Sequence, residues 1–105
     1  MTFIETPIFT RSIRRLLSAE QYRSLQLALL LRPEQGDVMI GGGGLRKLRW
    51  SLRGKGKRGG IRVIYYWDTK QEIFYMLLAY SKSQQEDLTA EQIKILKRLV
   101  REEFK

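Results

Sequence analysis

Between Val38 and Trp67 the chain carries eight basic side chains, Arg46, Lys47, Arg49, Arg53, Lys55, Lys57, Arg58 and Arg62, and no acidic one. If the fold gathers them, they form a receptor for a polyanion. Cations neutralise phosphates, and a fixed guanidinium also stabilises the negative charge that develops while a phosphodiester bond breaks. Lys47 and Arg49 are two positions apart, so on a strand they share a face at about 7 Å, close to the spacing of successive RNA phosphates. Arg62 begins a β-branched and aromatic run, where a strand would hold it more rigidly than a loop. Arg53, Lys55, Lys57 and Arg58 stand on glycine-rich backbone and would line the same cationic cleft. Of the aromatic residues, Tyr66 and Tyr80 are expected on the face of Arg62, where they would stack bases, whereas the others read as core.

The composition removes several other chemistries. There is no histidine and no cysteine, so imidazole acid-base pairs, thiol nucleophiles, disulfides and the usual zinc ligands are excluded. The net charge of +9 is local. Outside the basic window twelve basic residues face eleven acidic ones, which leaves a patch on a nearly neutral chain. No apolar run approaches the length that spans a bilayer and no signal-peptide pattern opens the sequence, so a cytoplasmic protein without membrane contact is expected. A metal-dependent nuclease would have to use Asp68-Thr69-Lys70, a turn with few carboxylates nearby. Gly41 to Gly44 lacks the lysine and hydroxyl of a phosphate-binding loop and no helix follows it, so it reads as a flexible connection.

Positioning such cations requires a sheet, and the sequence supplies one domain over residues 1–105. Phe3 to Glu5 alternates as a short strand. Thr6-Pro7 offers an N-cap with proline in the first helical position, and Phe9, Ile13, Leu16 and Leu17 follow at helical spacing. Ser18 to Gln21 is a capping box for a second helix with Tyr22, Leu25, Ala28 and Leu29 on one face, stopped by Pro33. The two make a helical hairpin with Arg14, Arg15 and Arg23 facing solvent. Leu45 to Leu52, Ile61 to Trp67 and Glu72 to Ser81 read as strands, the last two joined by a turn at Asp68 to Gln71. Thr89 to Gln92 is a second capping box, opening a C-terminal helix through Ile93, Leu96, Leu99 and Val100. The order β-α-α-β-β-β-α predicts a small α+β domain: an antiparallel sheet with an N-terminal helical hairpin and a C-terminal helix.

The glycine-flanked Leu45-Arg46-Lys47-Leu48-Arg49 strand, the Gly54 to Gly60 segment and Ile61-Arg62-Val63-Ile64-Tyr65-Tyr66 together resemble the HigB branch of the RelE-like toxins of type II toxin-antitoxin systems, over nearly the whole chain. The resemblance implies a RelE-like fold and a toxin that cleaves messenger RNA in the ribosomal A site. In such relatives the ribose 2′-hydroxyl attacks the adjacent phosphate without a metal or other cofactor. It also implies a 70S ribosome with its mRNA as partner, and a cognate antitoxin, HigA-like with a helix-turn-helix domain.

By position, Arg62 matches the catalytic arginine, and Lys47 and Arg49 match two phosphate-binding positions. Lys47 is the better general base, since a lysine crowded by cations gives up its proton more readily while an arginine does not. Arg46, Arg53, Lys55, Lys57 and Arg58 would bind RNA. Where some relatives carry a further arginine and a tyrosine, this chain has Ser83 and Thr89, so Lys82 or Tyr80 would have to substitute. The competing expectation is a noncatalytic RNA-binding or ribosome-associated module that uses the same cleft.

Overall fold

The computed structural model describes residues 1–52, 56–85 and 87–103; the side chains of residues 52, 56–59 and 103 lie outside that description. Its elements are β1 (Thr2–Glu5), α1 (Pro7–Leu16), α2 (Ala19–Leu31), β2 (Asp37–Val38), β3 (Arg46–Leu52), β4 (Gly56–Asp68), β5 (Ile73–Ser81) and α3 (Ala90–Glu103). The five strands form one sheet in the order β1-β5-β4-β3-β2. The expected antiparallel sheet is in fact mixed, because β1 pairs in parallel with β5. Phe3 stacks on Phe74 across that pair, with ring centroids 4.9 Å apart.

The helix starts are those that the capping residues dictate. Thr6 accepts from Phe9 N–H, and Ser18 and Gln21 exchange reciprocal bonds. Thr89 and Gln92 do the same at α3. The helical hairpin covers one sheet face, where Phe9, Ile13, Leu25 and Leu29 meet Leu48, Ile61, Val63, Tyr65, Phe74 and Met76. On the opposite face, Leu45, Ile64, Tyr75, Leu77, Tyr80, Leu88 and Val100 form a second buried cluster, with Ile93 and Leu96 of α3 packed against it. Odd positions of β3 and even positions of β4 look toward this second side.

β4 pairs back to Gly56, so the backbone of Lys57 and Arg58 belongs to the strand rather than to a loop. Arg53 and Lys55 lie outside the described residues. The Gly41 to Gly44 run is a tight turn rather than a flexible connection. Gly42 N–H bonds Met39 O, Met39 N–H bonds Leu45 O, and Gly41, Gly43 and Gly44 take left-handed φ angles that side chains resist. Gly44 has a second constraint, since a Cβ there would meet Tyr66 at 2.9 Å.

In β5 the register shifts between Ile64 and Tyr65: Ile64 pairs with Leu78, but Tyr65 pairs with Met76. Leu77 is therefore an extra residue, a β-bulge. Its carbonyl accepts the Thr6 hydroxyl at 2.8 Å, so the residue that caps α1 also secures the bulge. Beyond it the alternation of β5 is reversed, and Tyr80 joins the face of α3.

Candidate active site

Two rows cross the sheet on the α3 face: Arg49, Arg62 and Tyr80 are successive cross-strand partners, and so are Lys47, Ile64 and Leu78. The fold therefore brings Lys47, Arg49 and Arg62 together on one surface. Directly opposed like charges oppose strand pairing. Arg49 and Arg62 are such a pair, and the sheet holds them in place by the apolar residues on either side, Leu48 and Trp50 against Ile61 and Val63.

Arg49 joins two concavities. One, of about 330 Å³, is bounded by Asp37, Ile40, Lys47, Arg49, Asp87 and Ile93. The other, of about 220 Å³, is bounded by Arg49, Ser51, Gly60, Arg62 and Lys82. Lys82, an exposed residue just past β5, thus stands at the same cleft as Arg62. A larger concavity of about 470 Å³ surrounds Asp68 and Lys70 at the β4–β5 turn, with Asp68 six positions along the chain from Arg62. It lacks a cluster of acids, and Asp68 is used as an acceptor for the Lys70 and Gln71 N–H groups. Among the described residues no group of three or more acidic side chains is placed to hold a metal ion.

The surroundings of Lys47 differ from the expectation of cations alone. Its Nζ lies 3.2 Å from Asp87 Oδ1, the one ion pair among the described residues, with the lysine side chain 19% exposed and the aspartate 61%. Asp87 also accepts from Leu88 N–H at 2.8 Å. That bond, then the contact with Lys47 and the nearby Arg49, hold its carboxyl below the usual carboxylate range against the opposing effect of burial. Asp87 was not legible as a site residue in the sequence: it lies forty positions from Lys47, in a polar segment with no periodicity.

Arg46 is set apart from the other cations. It projects to the hairpin side, and its guanidinium donates to Glu34 O at 2.9 Å and Gly36 O at 2.8 Å. Its geometry is that of a structural tie between β3 and the segment after α2. Of the two tyrosines expected to stack bases, one is buried and the other half-buried. Tyr80 is 5% exposed within the second core cluster, and Tyr66 is half-buried under Gly44, four positions along β4 from Arg62. Alternation alone could not show this, because α3 covers the face that Tyr66 and Tyr80 share.

Comparison with known proteins adds an independent line. The family model described as RelE toxin of the RelE/RelB toxin-antitoxin system matches residues 9–105. A solved structure of E. coli toxin RelE, an arginine-to-alanine double mutant in the free state, is similar with a TM-score of 0.63 at 16% identity, over 90% of this chain and 96% of that one.

Proposed function

As the chain belongs to the RelE toxin family, we propose that it is the ribosome-dependent endoribonuclease of a type II toxin-antitoxin pair, cleaving mRNA in the A site and so halting translation. The observation that carries this reading is the gathering of Lys47, Arg49 and Arg62 on one sheet face, where Arg49 joins the concavity of Lys47 to that of Arg62 and Lys82. In the reaction the ribose 2′-oxygen forms a bond to the adjacent phosphorus while the bond to the 5′-oxygen breaks. Negative charge accumulates on the nonbridging oxygens of a phosphorane-like transition state. Arg62, held on the strand opposite Arg49, stabilises that charge more than it stabilises the ground state.

Arg49 binds the flanking phosphate, Lys47, released from Asp87 and acting as the free amine, takes the 2′-hydroxyl proton, and Lys82 as an ammonium at the same cleft gives a proton to the leaving 5′-oxygen. Arg53, Lys55, Lys57 and Arg58 are the proposed further contacts to mRNA or ribosomal RNA. The ribosome supplies the orientation of the substrate, so few catalytic groups are needed. The reading needs no metal, and cleavage should survive EDTA on ribosomes kept intact. Within the family, the Leu-Arg-Lys strand and the Gly-Gly-Ile-Arg-Val-Ile-Tyr-Tyr segment favour the HigB branch and a HigA-like antitoxin.

The test is inducible expression with mapping of mRNA 5′ ends. Codon-phased cuts are expected from the parent, and Arg62→Ala should reduce them by about 10²–10³-fold, the loss typical of one transition-state donor. Retention of cleavage in Arg62→Ala removes that residue from the mechanism. Ribosome binding without cuts in the parent instead supports a noncatalytic RNA-binding module.

A further inference from the structure

Tyr80 and Trp67 carry the two buried side-chain polar atoms that find no hydrogen-bond partner among the described residues. A buried hydroxyl without a partner lowers stability relative to a phenylalanine of the same shape, so its presence calls for a reason outside folding. Tyr80 has a neighbour that supplies one. It is the direct cross-strand partner of Arg62, so the two side chains share a face with Cβ atoms about 5 Å apart.

The needs of the two groups are complementary. A guanidinium has five N–H donors and no acceptor, while a phenol oxygen can accept. Among the described residues Arg62 makes one hydrogen bond, a long 3.5 Å contact with the carbonyl of Ile61, which leaves the plane of the guanidinium poorly fixed. Asp87 is near enough for its charge to act on the hydroxyl. Burial and then the Asp87 charge push the phenol above its ordinary range, while Arg62 pulls it the other way, so the group stays protonated.

We propose that Tyr80 is a positioning residue for Arg62: its hydroxyl oxygen accepts from the guanidinium when RNA fills the cleft, and so aims the remaining N–H donors at the scissile phosphate. The inference rests on the ribonuclease reading and adds to it a residue that never touches the RNA. In the free protein the bond is unmade and the hydroxyl is held in reserve. Phosphate binding draws Arg62 outward from its own backbone, and Tyr80 supplies the fixed end that limits this movement.

The experiment measures cleavage on programmed ribosomes by the parent, Tyr80→Phe, Arg62→Ala and the double variant, together with thermal unfolding of each. The proposal expects Tyr80→Phe to lower kcat about ten- to a hundredfold with little change in KM, as for loss of one hydrogen bond to a charged group. Its melting temperature should be equal to or above that of the parent. In the Arg62→Ala background the same change should have no further effect, because the two act as a unit. An unchanged kcat in Tyr80→Phe, a loss that persists without Arg62, or a loss that follows a fall in melting temperature overturns the role of Tyr80 and leaves the ribonuclease reading standing. An Arg62→Ala variant that cleaves as well as the parent removes Arg62, and Tyr80 with it, from the mechanism, and a parent that does not cleave overturns the ribonuclease reading itself and the inference with it.

Discussion

Asp87→Asn tests how the site meets its substrate. In the free protein the carboxylate occupies Lys47, so an RNA phosphate must displace it before Lys47 can act. The pair is 3.2 Å long, but the aspartate is 61% exposed, and solvent screens most of its Coulomb energy. Exposed pairs of this kind contribute about 0.2–1 kcal/mol. Removing the competitor should therefore lower KM for ribosome-bound mRNA by about 1.4- to 5-fold. Asparagine has the same shape and keeps an oxygen for the Leu88 N–H, so kcat should stay within about twofold.

Salt and pH sharpen the prediction. The gain should shrink as ionic strength rises, because salt screens the pair in the parent. Asp87 sits below the ordinary carboxylate range, first through the Leu88 N–H bond and then through Lys47. A depressed folded value means that the stabilisation is present above the unfolded value and lost only as pH falls through the folded one. From about pH 6 to 8 the competitor is fully charged, and the difference between variant and parent should be flat. Steady-state cleavage on programmed ribosomes at two salt concentrations reads all three quantities. A tenfold fall in kcat at constant KM would show that Asp87 belongs to the machinery, and no change in KM at low salt would show that it competes with nothing.

Three further substitutions test the frame around the site. Thr6→Val removes both the cap of α1 and the hydroxyl on Leu77 O, and should destabilise by about 2 kcal/mol, read as a drop of roughly 8–15 °C in melting temperature. A shift under about 2 °C would mean that neither bond matters. Tyr65→Phe leaves the buried Gly36 N–H without its 3.0 Å acceptor and Pro33 O without its 2.7 Å donor, so a loss of about 1–3 kcal/mol is expected in urea unfolding, and a neutral result would refute the tie. Arg46→Ala should lower stability by about 1–3 kcal/mol yet leave cleavage per folded molecule unchanged; a selective loss of cleavage would return Arg46 to the RNA surface.

The elements set by local chemistry were readable in the sequence. Thr6, Ser18 and Thr89 announced the three helix starts, and alternation around Leu48 placed Lys47 and Arg49 on one face. What depended on distant pairing was not readable. β1 joins β5 in parallel across seventy residues, which no local period encodes, and the two residues of β2 are too few to show one. The basic window was legible as a patch, but not its division into cleft residues and the structural tie of Arg46. Nor did alternation foresee the burial of Tyr80, which depends on where Leu88 and Val100 come to rest.

The extra residue in β5 gives the site a parity. Phe74 and Met76 face the helical hairpin, and an unbroken strand would send Leu78 and Tyr80 to that side as well; Leu77 shifts the count so that Ala79 goes there instead. Deleting one leucine at 77 or 78 would therefore only straighten the strand and keep Tyr80 opposite Arg62, whereas inserting one residue between Leu78 and Ala79 would exchange the destinations of Ala79 and Tyr80, driving a phenol into a space fitted to a methyl group and leaving Arg62 opposite a methyl. Single-residue insertions beyond the bulge should be barred by the chemistry on the far side of the sheet as strictly as by the core, while insertions of two residues keep the phase.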